Sequence, residues 1–264
     1  VRKQDHEYFD KLKGKYQGER LFVIGTGPSL RNEIGAEVNE LGDEREFTFG
    51  VNLLAHCITG EDAFIDFIPD FWGVGEIDWL RNIESTIAGF KTEKILSCFL
   101  DPEHLREGMN AANSTKYSGP LFPDWHWLWR PEYKKMKDGW FSGFDEELYW
   151  AADGGSVVFD VCVQLGAWMG FDTIYLLGCE TTVTGHAYGE IYEPPERDKE
   201  RQGLVQASAY VARKEFEKRG KKLIDLSGGT GTLPLEKGKF KDVMGISKKV
   251  RTKATRWGEV SVRE

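Results

Sequence analysis

The stretch Leu21-Phe22-Val23-Ile24-Gly25-Thr26-Gly27-Pro28-Ser29-Leu30 constrains the fold more than any other part of this chain. Four apolar residues in a row read as a short strand buried on both faces, the kind that parallel sheets use. Gly25 and Gly27 allow positive φ and close backbone approach, and Pro28 suits the first position of a helix, where its missing N–H costs nothing. Backbone N–H groups at such a helix start favour an anion, typically a phosphate. The stretch therefore predicts a strand–loop–helix that holds a nucleotide through Gly25, Thr26, Gly27, Pro28 and Ser29. It is not a Walker loop, since no Gly-Lys-Ser/Thr follows, and Leu30 stands where a dinucleotide fingerprint has its third glycine. A purely structural turn is the alternative.

Further strands are expected at Phe47–Asn52, Asp70–Val74, Lys94–Leu100, Thr173–Gly178 and Lys221–Leu226, with helical spacing over 7–19, 30–42, 77–87, 157–169 and 200–219. Strands that alternate with helices, without hairpin signals, argue for an α/β fold with a mostly parallel sheet flanked by helices. Asn52, at the end of its strand, is a candidate ligand for a ribose or base; a turn residue is the competing reading. Asp153-Gly154-Gly155-Ser156 opens a buried helix, so Asp153 or Ser156 can cap it, and the two glycines offer N–H groups to a ligand. Gly178-Cys179-Glu180 follows a strand, and His186 lies six residues beyond Glu180. An acid and a histidine in that place are candidates for catalysis: His186 as a general base or as a donor to a leaving phosphate, Glu180 to orient a hydroxyl or a metal's water shell.

Residues 101–150 break the rhythm and carry five tryptophans, so they are expected to form a lid or a small subdomain. Trp125, Trp127 and Trp129 are the candidates for stacking on an acceptor, against a local core or an oligomer contact. The chain then divides into a nucleotide-binding domain at 1–236 and a basic arm at 237–264. The net charge of −8 argues against broad nucleic-acid binding, yet residues 237–256 hold eight basic residues against Asp242, a net of +7. That arm is either solvated or a contact for an anionic partner such as nucleic acid. The longest apolar runs are too short for a membrane helix, and four cysteines without a Cys-x-x-Cys pair suggest reduced thiols and a cytoplasmic protein.

Taken in order, Gly25–Leu30, Asp153–Val157 with Met169–Gly178, Gly178–Gly189 and Tyr210–Ser227 resemble the 6-hydroxymethylpterin diphosphokinase MptE-like family. That family includes motility-associated glycosyltransferases and is related in fold to the bacterial sialyltransferases of glycosyltransferase family 42. The resemblance covers about 21–75 and 150–235 and leaves the Trp-rich middle and the basic arm uncovered. It implies a Rossmann-like sheet with a nucleotide at Gly25–Ser29, Asn52 on its nucleoside, and a second wall at Gly154, Gly155, Ser156 and Gly178. It also implies an enzyme, with transfer of a sugar from a nucleotide-sugar donor favoured. A Mg-ATP-dependent pyrophosphokinase, with Asp153 or Glu180 on the metal, and a non-catalytic nucleotide-binding protein are the alternatives. Two departures stand out: Glu180 replaces the family's usual Asp, and Arg201-Gln202-Gly203-Leu204 carries no histidine where the sialyltransferases have one, which leaves His186 as the candidate base.

Overall fold

The computed structural model describes residues 3–44, 46–75, 83–98, 125–129, 156–181, 185–189, 196–228 and 233–245, with the backbone alone at 3–6, 96–98, 127–129, 160 and 196–201. Its centre is an eight-stranded, all-parallel sheet in the order β5-β4-β3-β2-β1-β6-β7-β8. The strands are β1 (Arg20–Ile24), β2 (Phe47–Val51), β3 (Phe71–Val74), β4 (Glu93–Cys98), β5 (Trp125–Trp129), β6 (Thr173–Leu177), β7 (Lys222–Asp225) and β8 (Glu236–Lys237). This is a Rossmann-like α/β fold, as the sequence predicts.

β1 lies between β2 and β6, and each of its apolar residues is fully buried. Period-two alternation sends Leu21 and Val23 to one layer of the core and Phe22 and Ile24 to the other. The first layer is closed by α1 (Lys3–Leu12), by α2 (Gln164–Met169) with the wide helical turns Val158–Val163 that lead into it, and by α3 (Glu196–Lys218). The second is closed by the helical turns Leu30–Ile34, Gly35–Asn39 and Glu40–Asp43 after β1, and by α4 (Phe240–Gly245). A strand apolar on both faces is stable only with helices on both sides, which is the arrangement found. Gly170, at φ 96, ends α2 in the left-handed conformation.

At the N-terminal edge Arg20 grips Glu46 with two bonds, Nε to Oε2 at 3.0 Å and Nη2 to Oε1 at 2.7 Å. This bidentate pair sets the start of β1 against that of β2, and Glu46 is almost wholly buried.

Two expectations change. The Trp-rich stretch is expected as a lid or subdomain; its described part, Trp125–Trp129, is instead strand β5, paired in parallel with β4 from Lys94↔Trp125 to Cys98↔Trp129, and 101–124 and 130–150 lie outside the described residues. A run of aromatics with one leucine has high β propensity and adds to an open sheet edge. The boundary at 236/237 also moves. Lys237 belongs to β8, its Nζ donates to the buried carboxylate of Asp225, and Phe240 and Met244 of α4 enter the core. Lys241 pairs with Glu37 at 2.9 Å. Two of the arm's eight basic residues are thus engaged within the fold, and 246–264 lie outside the described residues.

Truncation after residue 236 should therefore destabilise the domain rather than trim an arm. Loss of two buried side chains and of the partner to a carboxylate only 1% exposed should cost more than about 3 kcal/mol in urea unfolding. An unchanged midpoint would return 237–245 to the arm.

Candidate functional site

In this sheet the chain winds outward from β1 to β5, then returns to the other side of β1 as β6. The strand order reverses between β1 and β6, and ligands of open α/β sheets bind outside the C-terminal ends at such a point. Gly25 and Gly27 follow β1 there, and Gly178 follows β6. The two loops are zipped together: Gly25 N–H donates to the Leu177 carbonyl at 2.7 Å, and Gly27 N–H to that of Gly178 at 2.8 Å. A Cβ on Gly25 would overlap the Gly178 carbonyl, and Gly178 itself sits at φ 59. Gly25 and Gly27 do not adopt the positive φ expected of them; close approach is what they provide.

The next contact corrects two expectations together. Glu180 is 7% exposed, and its carboxylate accepts from the Ser29 backbone N–H at 2.6 Å and from Ser29 Oγ at 2.7 Å. The sequence offers the N–H groups of Gly25–Ser29 to a phosphate and turns Glu180 toward the reacting centre. Instead, those of Gly25, Gly27 and Ser29 are engaged within the chain, and Glu180 is the anion that the loop holds. Pro28 opens the helical turn, its carbonyl accepting from the N–H groups of Arg31 and Asn32. Glu180 is also the described member of the suggested metal pair. Both its oxygens accept from Ser29, and no group of three or more His, Cys, Asp or Glu side chains is poised for a metal among the described residues. Asp153, Gly154 and Gly155 lie outside the described residues.

His186 and Thr26, singled out separately, are brought together. His186 Nδ1 lies 3.1 Å from Thr26 Oγ1, and the Ala187 N–H donates to the Thr26 carbonyl at 2.7 Å. The His186 ring stacks on Tyr188, with centroids 4.9 Å apart and planes at 13°, and Tyr188 meets His56 at 5.2 Å. Arg31 donates from Nε to the Ala187 carbonyl and from Nη2 to the Asp62 carbonyl, both at 2.5 Å, with Phe64 beneath its guanidinium. Sequence reading missed Arg31, Tyr188 and His56, because neither spacing nor a motif joins them to His186.

Asn52 ends β2 at φ 43, a left-handed conformation that asparagine tolerates better than most residues. Its Oδ1 accepts from the Gly75 N–H at the end of β3, at 3.2 Å, and its carbonyl from Trp72 Nε1 at 3.2 Å. The turn reading and the ligand reading of Asn52 thus share one residue: Oδ1 is engaged, while Nδ2 makes no hydrogen bond among the described residues. Ser156 precedes Val157, whose side chain packs against Gly75. Its Oγ is buried and has no hydrogen-bond partner among the described residues, so it does not cap the helix that follows. An orphaned buried hydroxyl of this kind costs free energy unless something binds it. Trp125 is 3% exposed and belongs to the core, which removes it from any acceptor surface; nothing is described of the side chains of Trp127 and Trp129.

The thiols of this edge are quiet. Burial pushes Cys57 up to about 12, against a downward pull from Arg31. Burial and the charges of Asp225 and Glu180 push Cys179 up as well. Neither thiol is a nucleophile at neutral pH.

No family model matches the chain, and no curated protein matches it. A solved structure that does match is the MAf glycosyltransferase from Magnetospirillum magneticum AMB-1, with a TM-score of 0.50 and 15% sequence identity, covering 96% of this chain. The chain spans 39% of that protein's length. At this identity the likeness is one of fold.

Two outcomes follow from the geometry. In a double-mutant cycle, Ser29→Ala and Glu180→Gln should couple by about 1–3 kcal/mol of stability, as groups within one charge-assisted pair do; additive losses would dissolve the clamp. Folding also holds Cys57 protonated above its unfolded value. Its stabilising contribution is complete below about pH 8.5 and is lost, at up to about 1.4 kcal/mol per pH unit, as the pH climbs toward 12. Urea unfolding of wild type and Cys57→Ala between pH 8 and 10.5 measures it, with the flatter slope expected in the variant.

Proposed function

We propose that this chain is a glycosyltransferase domain that takes its sugar from a nucleotide-sugar donor bound along the C-terminal edge of β1, β2 and β3. The observation that carries the reading is His186, clasped to Thr26 over the point where the strand order reverses. A histidine held by a hydroxyl and a parallel aromatic ring is oriented for proton transfer rather than left to solvent. Nδ2 of Asn52 and the unpartnered Oγ of Ser156 face the nucleoside end of the donor in this reading. The likeness of fold to a glycosyltransferase supports it, as does the resemblance of the ordered sequence motifs.

The chemistry asked of these residues is modest. His186 takes the proton of an acceptor hydroxyl as its oxygen bonds to the anomeric carbon. The bond from that carbon to the donor phosphate breaks, and the nucleotide leaves with the electron pair. Glu180 acts at one remove, as a positioning residue that holds Ser29 and so the shape of the loop. Thr26 sets the imidazole. The pyrophosphokinase alternative loses support here, since the described one of its two metal candidates is engaged with Ser29.

A thermal-shift screen with CMP-, UDP- and GDP-sugars and Mg-ATP tests the reading. A nucleotide-sugar should raise the melting temperature by linkage, and a screen in which none does so overturns it. With the donor in hand, His186→Ala should lower kcat by about 100-fold or more at a nearly constant donor Kd. Full turnover in that variant would remove the base. Asn52→Gly keeps the backbone conformation while deleting the carboxamide; it should weaken donor binding about tenfold, the loss of one or two hydrogen bonds.

A further inference from the structure

Three observations converge on Arg31. In the glycine loop the backbone N–H groups of Gly25, Gly27 and Ser29 are engaged, that of Ser29 by a carboxylate. Arg31, two residues beyond, is half-buried between the loop at 60–66 and the loop at 185–189, and both of its bonds go to neutral backbone carbonyls. It forms no ion pair among the described residues, and Nη1 makes no hydrogen bond there. Its charge is felt at the buried Cys57 thiol. A half-buried guanidinium with no counter-ion, fixed by two carbonyls and an aromatic face, is a pre-oriented fork for an anion.

We propose that Arg31 is the anion anchor of this site and takes the diphosphate of a nucleoside diphosphate. The inference rests on the donor reading above and relocates its phosphate contact from the glycine loop to the guanidinium. Two donors of the fork hold the loops, and those that remain bind phosphate oxygens. Because Nε grips the carbonyl of Ala187, the residue next to His186, a diphosphate bound there brings the leaving group beside the imidazole. A phosphate oxygen also supplies the counter-charge that Arg31 does not find among the described residues, so the site is stronger for a dianion than for a neutral sugar.

Calorimetric titration of the whole chain with inorganic pyrophosphate, UDP, GDP, CDP, ADP and CMP, at two salt concentrations, tests this against Arg31→Gln. Pyrophosphate or a nucleoside diphosphate should bind, about tenfold or more weaker in the variant and with a shallower salt dependence. Equal affinity in wild type and variant overturns the anchor while leaving the donor reading standing. Arg31-dependent binding of pyrophosphate with no nucleotide bound upholds the anchor and overturns the donor reading; no binding of any probe overturns both. Should Arg31→Gln fail to fold, modification of wild type by phenylglyoxal, mapped by mass spectrometry, carries the test. Pyrophosphate, or the nucleoside diphosphate that binds, should protect Arg31, and unprotected modification overturns the anchor.

Discussion

The close approach of two backbone turns, one after β1 and one after β6, is the constraint on which the rest of the structure depends. Gly25 and Gly178 meet with no room for a side chain between them, and two short N–H to carbonyl bonds hold the turns together. Because β1 is the strand from which the sheet winds in both directions, this contact joins the two halves of the fold at the place where they diverge. Everything chemical is then hung on one turn or the other. Ser29, Thr26 and Arg31 come from the first, Glu180 and His186 from the second.

The junction explains the form of the site. A parallel sheet splits at its switch point when the loops on either side turn away from one another. Here they turn toward one another, and Glu180 fills the space against Ser29 that an outside anion would have taken. In the donor reading proposed above, the ligand surface lies farther out, along the loop carrying His186 and Tyr188 and the ends of β2 and β3. Near those strand ends lie two polar side-chain groups without a hydrogen bond among the described residues, Nδ2 of Asn52 and Oγ of Ser156, the latter beside Gly75 through Val157. Positive charge moves with it: Arg31 stands beside that loop, while Lys237 and Lys241 are engaged by Asp225 and Glu37.

Residues that sequence reasoning ranked alike separate once their partners are known. Glu180 and His186 were one acid and one base facing a common centre; the first braces a loop from a buried position, and the second sits on the loop that frames the edge. Trp125 was an acceptor candidate because tryptophan in an irregular stretch suggests stacking. Its strand, Trp-His-Trp-Leu-Trp, had the β propensity to show otherwise, and the lack of any periodic helix signal around it pointed the same way.

What the sequence by itself determined is what nearest neighbours along the chain decide. The strands of the parallel sheet, the two-faced burial of β1 and the end of α2 at Gly170 all follow from apolar runs and breaker residues within a dozen positions. What only the tertiary structure decided is the use made of each polar group. Ser29 meets Glu180 across 151 positions, Arg31 meets Ala187 across 156, and Thr26 meets His186 across 160. A hydrogen bond is satisfied by whichever group arrives within about 3 Å, and no local pattern records which one that is. The glycine loop was therefore legible as a loop, while the identity of the anion it holds was not.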